Sequence, residues 1–394
     1  MIDLDFDLTD EERALRDTVH AFAAEVMRPA GEELDRLPDP AQVVAPDSVL
    51  WEVFRRHREL GLDEITAATD LTPVQQVRMR CIVSDELGWG DAGLAISLGV
   101  SGFPRNLALM SGHPELIERF GGGDVIGCWP ITEPDHGSDV LVNFGDLSSQ
   151  HGAPNCVARK DGDSFVVNGQ KSAWVSNGTI ATAAALFCAV DLGDGPAGMG
   201  ALVVPLDAPG VTRGKPLDKI GQRALNQGEI FFQDVRLPAH HLVVSPEVAA
   251  LAKDMVLCQA NGGMGLVFAG LARAALEMAV DYAKERVQGG VPIIRHQSVR
   301  ARLFEMYRKV AAARALARHA ALTTAVAPRV ELAVASKVTA TQTAFEVASG
   351  ALQIFGGNGL SREYPIEKLL RDARASMVED GCNEVLGLVA AERL

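Results

Sequence analysis

Val125-Ile-Gly-Cys-Trp-Pro-Ile-Thr-Glu-Pro-Asp-His-Gly-Ser-Asp139 is where the texture of this 394-residue sequence changes. Upstream, apolar residues recur at helical spacing. Thr9 and Glu12 form a capping box, and Leu15, Val19, Phe22 and Val26 fall on one face until Pro29, which is expected to close the segment. Further helices are expected over 47–60, 72–87 and 114–120. Downstream, short β-prone runs (165–167, 183–190, 201–204, 229–232) are separated by Asn168-Gly169, Asn177-Gly178 and Pro209-Gly210, the rhythm of a small barrel or sandwich. After Pro238 the helical period returns, and 247–286, 296–326, 329–354 and 365–393 each have the length of one helix in an antiparallel four-helix bundle. The predicted order is therefore a helical domain (1–124), a β domain (125–240) and a helical bundle (241–394): an α+β fold that is mostly α.

Bulk properties narrow the function. Net charge is -14, from 37 basic and 51 acidic residues, which argues against a general nucleic-acid or anionic-membrane binder. No uninterrupted apolar run approaches the roughly 18 residues of a membrane span. Cys81, Cys128, Cys156, Cys188, Cys258 and Cys382 stand singly, without a CxxC pair, which suits a reducing cytosol better than a disulfide framework or a zinc site. The acidic N-terminus lacks the basic and apolar regions of a signal peptide, so the expected location is cytoplasmic.

The quoted segment is also the densest in chemistry. Thr132, Ser138, a glycine and several free backbone N–H groups around a proline turn suit hydrogen bonds to a flavin edge or a phosphate; taken alone, the segment also reads as a polar turn between domains. Asn168 to Gly178 places Trp174 on a strand leaving a hairpin, where it would stack on a flat cofactor or fill the core, with Ser176 nearby as a donor. Gly262-Gly263-Met264-Gly265 lies inside a helical stretch with no strand before it, so it reads as close helix packing rather than a dinucleotide fingerprint. Gly356-Gly357-Asn358-Gly359 follows a helix and reads as its C-terminal break or as a binding backbone. The acid/base inventory is carboxylates: Glu379, Asp380 and Glu384 crowd the last expected helix. The nine histidines show no metal-ligand spacing, and the adjacent His240 and His241 point apart in any regular element.

The joint occurrence and order of these segments resembles the acyl-CoA dehydrogenase family over nearly the whole chain. Thr132 to Asp139 matches its TEPxxGSD signature, and Gly169 to Ser176 matches its GxKxWIT segment. Phe231 to Pro238 is similar to its strand exit, and Ala283-Lys-Glu-Arg286 with Gln297 to its YAxxR…Q spacing. Ala351 to Gly359 and Arg371-Asp-Ala373 complete the set. The resemblance implies a middle β-barrel between two helical domains and a non-covalent FAD. Trp129, Ile131, Thr132, Gly137 and Ser138 would line the flavin and pyrophosphate, Trp174 would flank the ring, and Ser176 would bond flavin N5. Arg286, Gln297, Gln353 and Gly357 would reach the adenosine half of an FAD shared with a neighbouring subunit, and Cys382 and Glu384 would complete the cofactor set. It further implies a homotetramer built as a dimer of dimers, a role in fatty acid metabolism, an acyl-CoA substrate and an electron-transfer flavoprotein as electron acceptor.

In that family a carboxylate removes the α-proton while the β-hydrogen leaves as hydride. Aligned from Arg371, the usual Tyr-Glu-Gly-Thr becomes Glu379-Asp380-Gly381-Cys382, so the resemblance assigns the base to Asp380, with Glu379 as the fallback. The alternative base position, Gln259-Ala260-Asn261, carries no carboxylate. Asp is one methylene shorter than Glu, and Leu225-Asn226-Gln227 replaces the usual Ser-Asp-Thr. These departures keep two other readings open: a flavin oxidase or monooxygenase acting on a non-CoA carbon acid, as in the nitroalkane oxidase branch, and a non-catalytic FAD-binding subunit.

Overall fold

The computed structural model describes residues 8–62, 71–142, 154–193 and 195–394; the acidic residues 1–7 lie outside them. The first helix, α1 (Asp10–Phe22), starts at the expected capping box, with Thr9 Oγ1 accepting from the Glu12 amide and Glu12 Oε2 accepting from the Thr9 amide. Pro29 does not close it. The chain passes through a five-residue π-turn (Ala23–Met27) into α2 (Arg28–Arg36), whose first turn holds the proline. The chain stays helical through that π-turn, where the Arg28 amide bonds the Ala23 carbonyl, and the wider turn accommodates the N–H that Pro29 lacks. The helical domain continues with α3 (Val49–Glu59), α4 (Pro73–Gly90), α5 (Ala92–Val100), α6 (Gly102–Ser111) and α7 (Pro114–Phe120).

Eight strands form the middle layer: β1 (Gly127–Cys128), β2 (Val157–Asp161), β3 (Ser164–Lys171), β4 (Ala183–Asp191), β5 (Pro196–Pro205), β6 (Val211–Arg213), β7 (Ile230–Pro238) and β8 (Leu242–Val244), with a one-turn helix α8 (Asp139–Val142) after β1. They pair in the order β6-β7-β3-β2-β4-β5-β8, with β1 added parallel to β4. Every residue of β4 is buried, and the two-residue period explains why. Ala184, Leu186, Cys188 and Val190 face the interior of the β domain, whereas Ala183, Ala185 and Phe187 pack on Leu107, Leu116 and Phe120 of the helical domain.

The C-terminal bundle is built from α9 (Ala249–Glu285), α10 (Gln297–Thr324), α11 (Val330–Phe355) and a final pair, α12 (Ile366–Ser376) and α13 (Asn383–Ala391). The segment from Pro246 to Glu285 passes a length-and-composition test for a membrane span, with a mean hydropathy of 1.5 over its most apolar window; 78% of that window is buried within this fold. Apolar on all sides, it is the helix that the others surround. The single helix expected over 365–393 is instead two, broken at 377–382, where Asp380 (φ 50°) and Gly381 (φ 92°) turn left-handed. Glu379 and Asp380 therefore sit on a turn between helices and not on a helix face.

Candidate active site

A single cleft of about 1940 Å³ runs where the three layers meet. Trp129, Ile131, Thr132, Gly137, Ser138, Trp174, Ser176, Glu379 and Asp380 all line it, although the chain separates the first from the last by some 250 positions. Two struts bring them together. In the first, Lys171 at the end of β3 reaches back to the Thr132 turn: its Nζ donates to Glu133 Oε1 (2.7 Å) and to the Ile131 carbonyl (3.0 Å). Glu133 also accepts from the amides of Asn155 (2.6 Å) and Cys156 (3.1 Å), so its buried carboxylate is fully engaged. The Ser172 amide donates to the Thr132 carbonyl (2.9 Å). The lysine and glutamate of the two sequence motifs are thus each other's partners, and the pair fixes the Thr132 turn against the Trp174 turn.

The second strut holds the acidic turn. The Cys382 amide donates to Ser138 Oγ (2.9 Å), and Lys337 Nζ donates to the Gly381 carbonyl and to Asn383 Oδ1 (2.8 Å each). From the β domain, Gln222 Nε2 donates to Glu379 Oε2 (2.9 Å) and to the Asp372 carbonyl (3.2 Å). The Gln222 amide bonds Asp372 Oδ1, and Asp372 in turn shares Lys368 Nζ with Asp91 (2.6 and 2.5 Å). Gln222 pays for this with a left-handed backbone (φ 49°). The glycine before it is required by space, since a Cβ on Gly221 would lie 2.3 Å from the Arg371 carbonyl oxygen.

The electrostatics follow from burial. Loss of water pushes Glu379 up to about 7, with the Gln222 bond and the Lys219 charge opposing and Asp380 reinforcing the shift. Burial also raises Asp380, opposed only by Lys337. Lys337 and Lys219 are each pushed down to about 8 by burial, with Asp380 and Glu379 respectively pulling the other way. Among the described residues, neither the Asp380 side chain nor its backbone N–H makes a hydrogen bond. A carboxylate and an N–H left open in a cleft are groups that a ligand can satisfy.

The groups suited to a flavin are present. Trp129 stacks on Phe103 (4.9 Å, 7° between planes), and its buried Nε1 has no partner; nor has the buried Ser172 Oγ. A side chain on Gly137 would meet nothing within 4 Å, so the backbone there faces open space. Trp174 lies in a turn beyond β3, not on a strand, and is 59% exposed on the cleft wall instead of filling the core. Ser176 Oγ accepts from Gln227 Nε2 (3.3 Å), which leaves its own O–H free to donate. These groups fit a planar cofactor that is edged by donors.

Other expected residues fall elsewhere. Arg286, Gln297, Gln353 and Gly357 are exposed and do not line the cleft. Arg286 and Gly357 lie at one end of the bundle, where Tyr282 stacks on Phe355 (4.0 Å) and its hydroxyl accepts from Asn358 (3.0 Å). Glu384 is exposed on the first turn of α13, and Cys382 enters the site through its backbone amide. Gly265 packs closely as expected, since a Cβ there would meet Ser336 Oγ at 2.2 Å, but Gly262 and Gly263 border the cleft with open space before them. Sequence reasoning marked Leu225 to Gln227 as altered but gave no site role to Gln222, Lys219 or Gln227. The signal was the altered Gly221 to Gln227 loop: Lys219 Nζ donates to the Leu225 carbonyl and to Gln227 Oε1 (2.8 Å each), and Gln227 Nε2 to the Trp174 carbonyl (3.1 Å).

A helical domain, a β domain and a helical bundle that enclose a planar cradle beside paired carboxylates define a flavoprotein oxidoreductase architecture. The chain belongs to the acyl-CoA dehydrogenase family, whose members are FAD-dependent. Its N-terminal, middle and C-terminal domains match residues 9–121, 128–235 and 257–394. The short-chain specific acyl-CoA dehydrogenase of Rattus norvegicus mitochondria is 30% identical over 98% of this chain and 91% of its own length. Among solved structures, butyryl-CoA dehydrogenase from Megasphaera elsdenii is 29% identical with a TM-score of 0.83, covering 99% of both chains. A chain solved in work on the electron transferring flavoprotein of Acidaminococcus fermentans is 27% identical with a TM-score of 0.85, again over 99% of both.

Proposed function

We propose that this enzyme desaturates an acyl-CoA thioester between its α and β carbons, with Asp380 taking the α-proton. The observation that carries this reading is the acidic turn: a carboxylate with no donor among the described residues lines the same cleft as the flavin cradle, on a backbone held by Ser138 and Lys337. Bound FAD supplies the acceptor for the β-hydride. The remaining work belongs to the chain. Trp129, Thr132, Gly137 and Trp174 would hold the cofactor against the cleft wall, and the free Ser176 hydroxyl would be available to donate to it. Asp380 receives the proton, and its raised affinity for protons matches it to a weakly acidic carbon. The unpaired Asp380 N–H donates to the thioester oxygen and stabilises the developing enolate. Glu379 is the fallback base; its Gln222 bond aims it and occupies one of its oxygens.

Arg286, Gln297, Gln353 and Gly357, exposed and outside the cleft, fit the adenosine half of an FAD bound by a neighbouring subunit of a tetramer. An electron-transfer flavoprotein as oxidant is supported by the similar chain solved in work on the electron transferring flavoprotein of Acidaminococcus fermentans. Anaerobic titration of the purified protein with a panel of acyl-CoAs tests the proposal, since a substrate bleaches oxidised-flavin absorbance. No bleaching by any of them, on protein shown to hold FAD, contradicts it. Gln227, which bridges Lys219 and Ser176 at an altered position, favours a second reading: a flavin oxidase on a smaller carbon acid without CoA. That reading requires oxygen consumption coupled to substrate.

A further inference from the structure

Away from the cleft, the fold assembles a cluster that sequence spacing does not reveal. His113 precedes α7, Glu115 lies in its first turn, and His240 sits on the short turn between β7 and β8. The two imidazoles stack at 3.9 Å with 5° between their planes, and His240 Nε2 is 3.2 Å from Glu115 Oε2. One donor atom from each of the three residues lies within 4.8 Å of the others. His113 Nδ1 is buried with no hydrogen-bond partner, and the buried His240 Nε2 has only its ion-pair contact with Glu115. None of the three residues lines the cleft. Stacked rings that leave a buried nitrogen unpaired forgo a hydrogen bond that water would have given, and a bound cation restores that interaction.

We propose that His113, Glu115 and His240 bind one divalent transition-metal ion of the zinc class. Two imidazole nitrogens and one carboxylate suit Zn²⁺, Co²⁺, Ni²⁺ or Cu²⁺ and not Mg²⁺ or Ca²⁺, which require oxygen donors. Metal–ligand bonds of about 2.1 Å in a tetrahedron put donors about 3.4 Å apart. Because an imidazole lone pair lies in its ring plane, sharing one ion also requires the stacked rings to tilt apart, together with a rotamer change of Glu115, whose side chain is 74% exposed. Three protein ligands leave the fourth position to water. The ion would clamp the end of the helical domain to the turn that leads out of the β domain, beside the edge contact of Phe120 with His241 (6.5 Å).

The test uses untagged, chelator-treated, flavin-loaded protein titrated calorimetrically with Zn²⁺ alone, with Co²⁺ absorption as a second measurement. Expected are one ion per chain, tetrahedral Co²⁺ bands without the sulfur charge-transfer signature of a cysteine ligand, and a raised thermal midpoint. Loss of a supporting partner already weakens metal sites by about 10–100-fold, so loss of a ligand in His113→Ala or His240→Ala should weaken binding by at least that factor. Glu115→Gln, at an exposed position that cannot unfold the chain, should also weaken it. Stoichiometric binding that survives in the His113→Ala/His240→Ala protein, a sulfur signature, or no binding beyond that double variant would overturn the proposal.

Discussion

Two acidic turns line the cleft, one buried at Glu133 and one half-buried at Glu379 and Asp380, and they use carboxylates in opposite ways. Glu133 has a lysine and two backbone amides as partners, whereas Glu379 has one side-chain donor and Asp380 has none among the described residues. Both turns lost water on folding. The first recovered the lost solvation from the protein and became a strut; the second did not, and its carboxylates hold protons more tightly as a result. The deeply buried acid is here the fully bonded one, and the half-buried pair is the one left open to a ligand.

That contrast can be broken by exchanging what each turn can bear. Asp380→Asn should slow flavin reduction by about 10²–10⁴-fold, the usual worth of a positioned base, while thermal stability stays level or rises because a buried charge is gone. Lys171→Met should do the reverse. Removing one partner of a buried ion pair costs about 3–5 kcal/mol, read as a lower denaturant midpoint, with the flavin site lost only as a consequence. Gln222→Ala removes the single donor to Glu379 and should leave the base in place. Its effect on flavin reduction is expected to be about tenfold or less, and denaturant titration should show a loss of about 1–3 kcal/mol from the lost bonds to Glu379 and the Asp372 carbonyl.

The smallest effect concerns pH. Glu379 binds its proton near 7 in the fold against 4.5 in the ordinary state, so the native state holds a proton that the unfolded chain releases. The stability this contributes is full below pH 4.5 and is lost as pH rises to about 7. Glu379→Gln lacks this dependence, so its stability relative to the parent should climb between those values and level off above them; a flat difference across pH 4–8 in denaturant titrations would refute the assignment.

The layer order was legible because its signals are local: apolar spacing of three to four in the helices, and short β-prone runs between turn pairs in the middle layer. The capping box at Thr9 and the glycine break at Gly356 were legible for the same reason. What was hidden depends on partners far along the chain. Glu379 and Asp380 are compatible with a helix, and the backbone after the break is held by Ser138 of the β domain and by Lys337 of α11, 44 positions back along the chain. Trp174 reads as a strand residue by type, but the Gln227 bond to its carbonyl belongs to a turn. Gln222 donates to a residue 157 positions away, which no local pattern encodes. The family motifs exposed the cleft, while the altered positions within them marked the polar network around it.

The central claim is that Asp380, not Glu379, takes the substrate proton. The most direct test is anaerobic stopped-flow reduction of the flavin by a bleaching acyl-CoA in the parent, Asp380→Asn and Glu379→Gln proteins. Near-complete loss of the fast phase in Asp380→Asn, with Glu379→Gln retaining it within about tenfold, is the predicted result. The opposite pattern, with Asp380→Asn reducing at the parent rate and Glu379→Gln silent, would contradict it and move the base to Glu379.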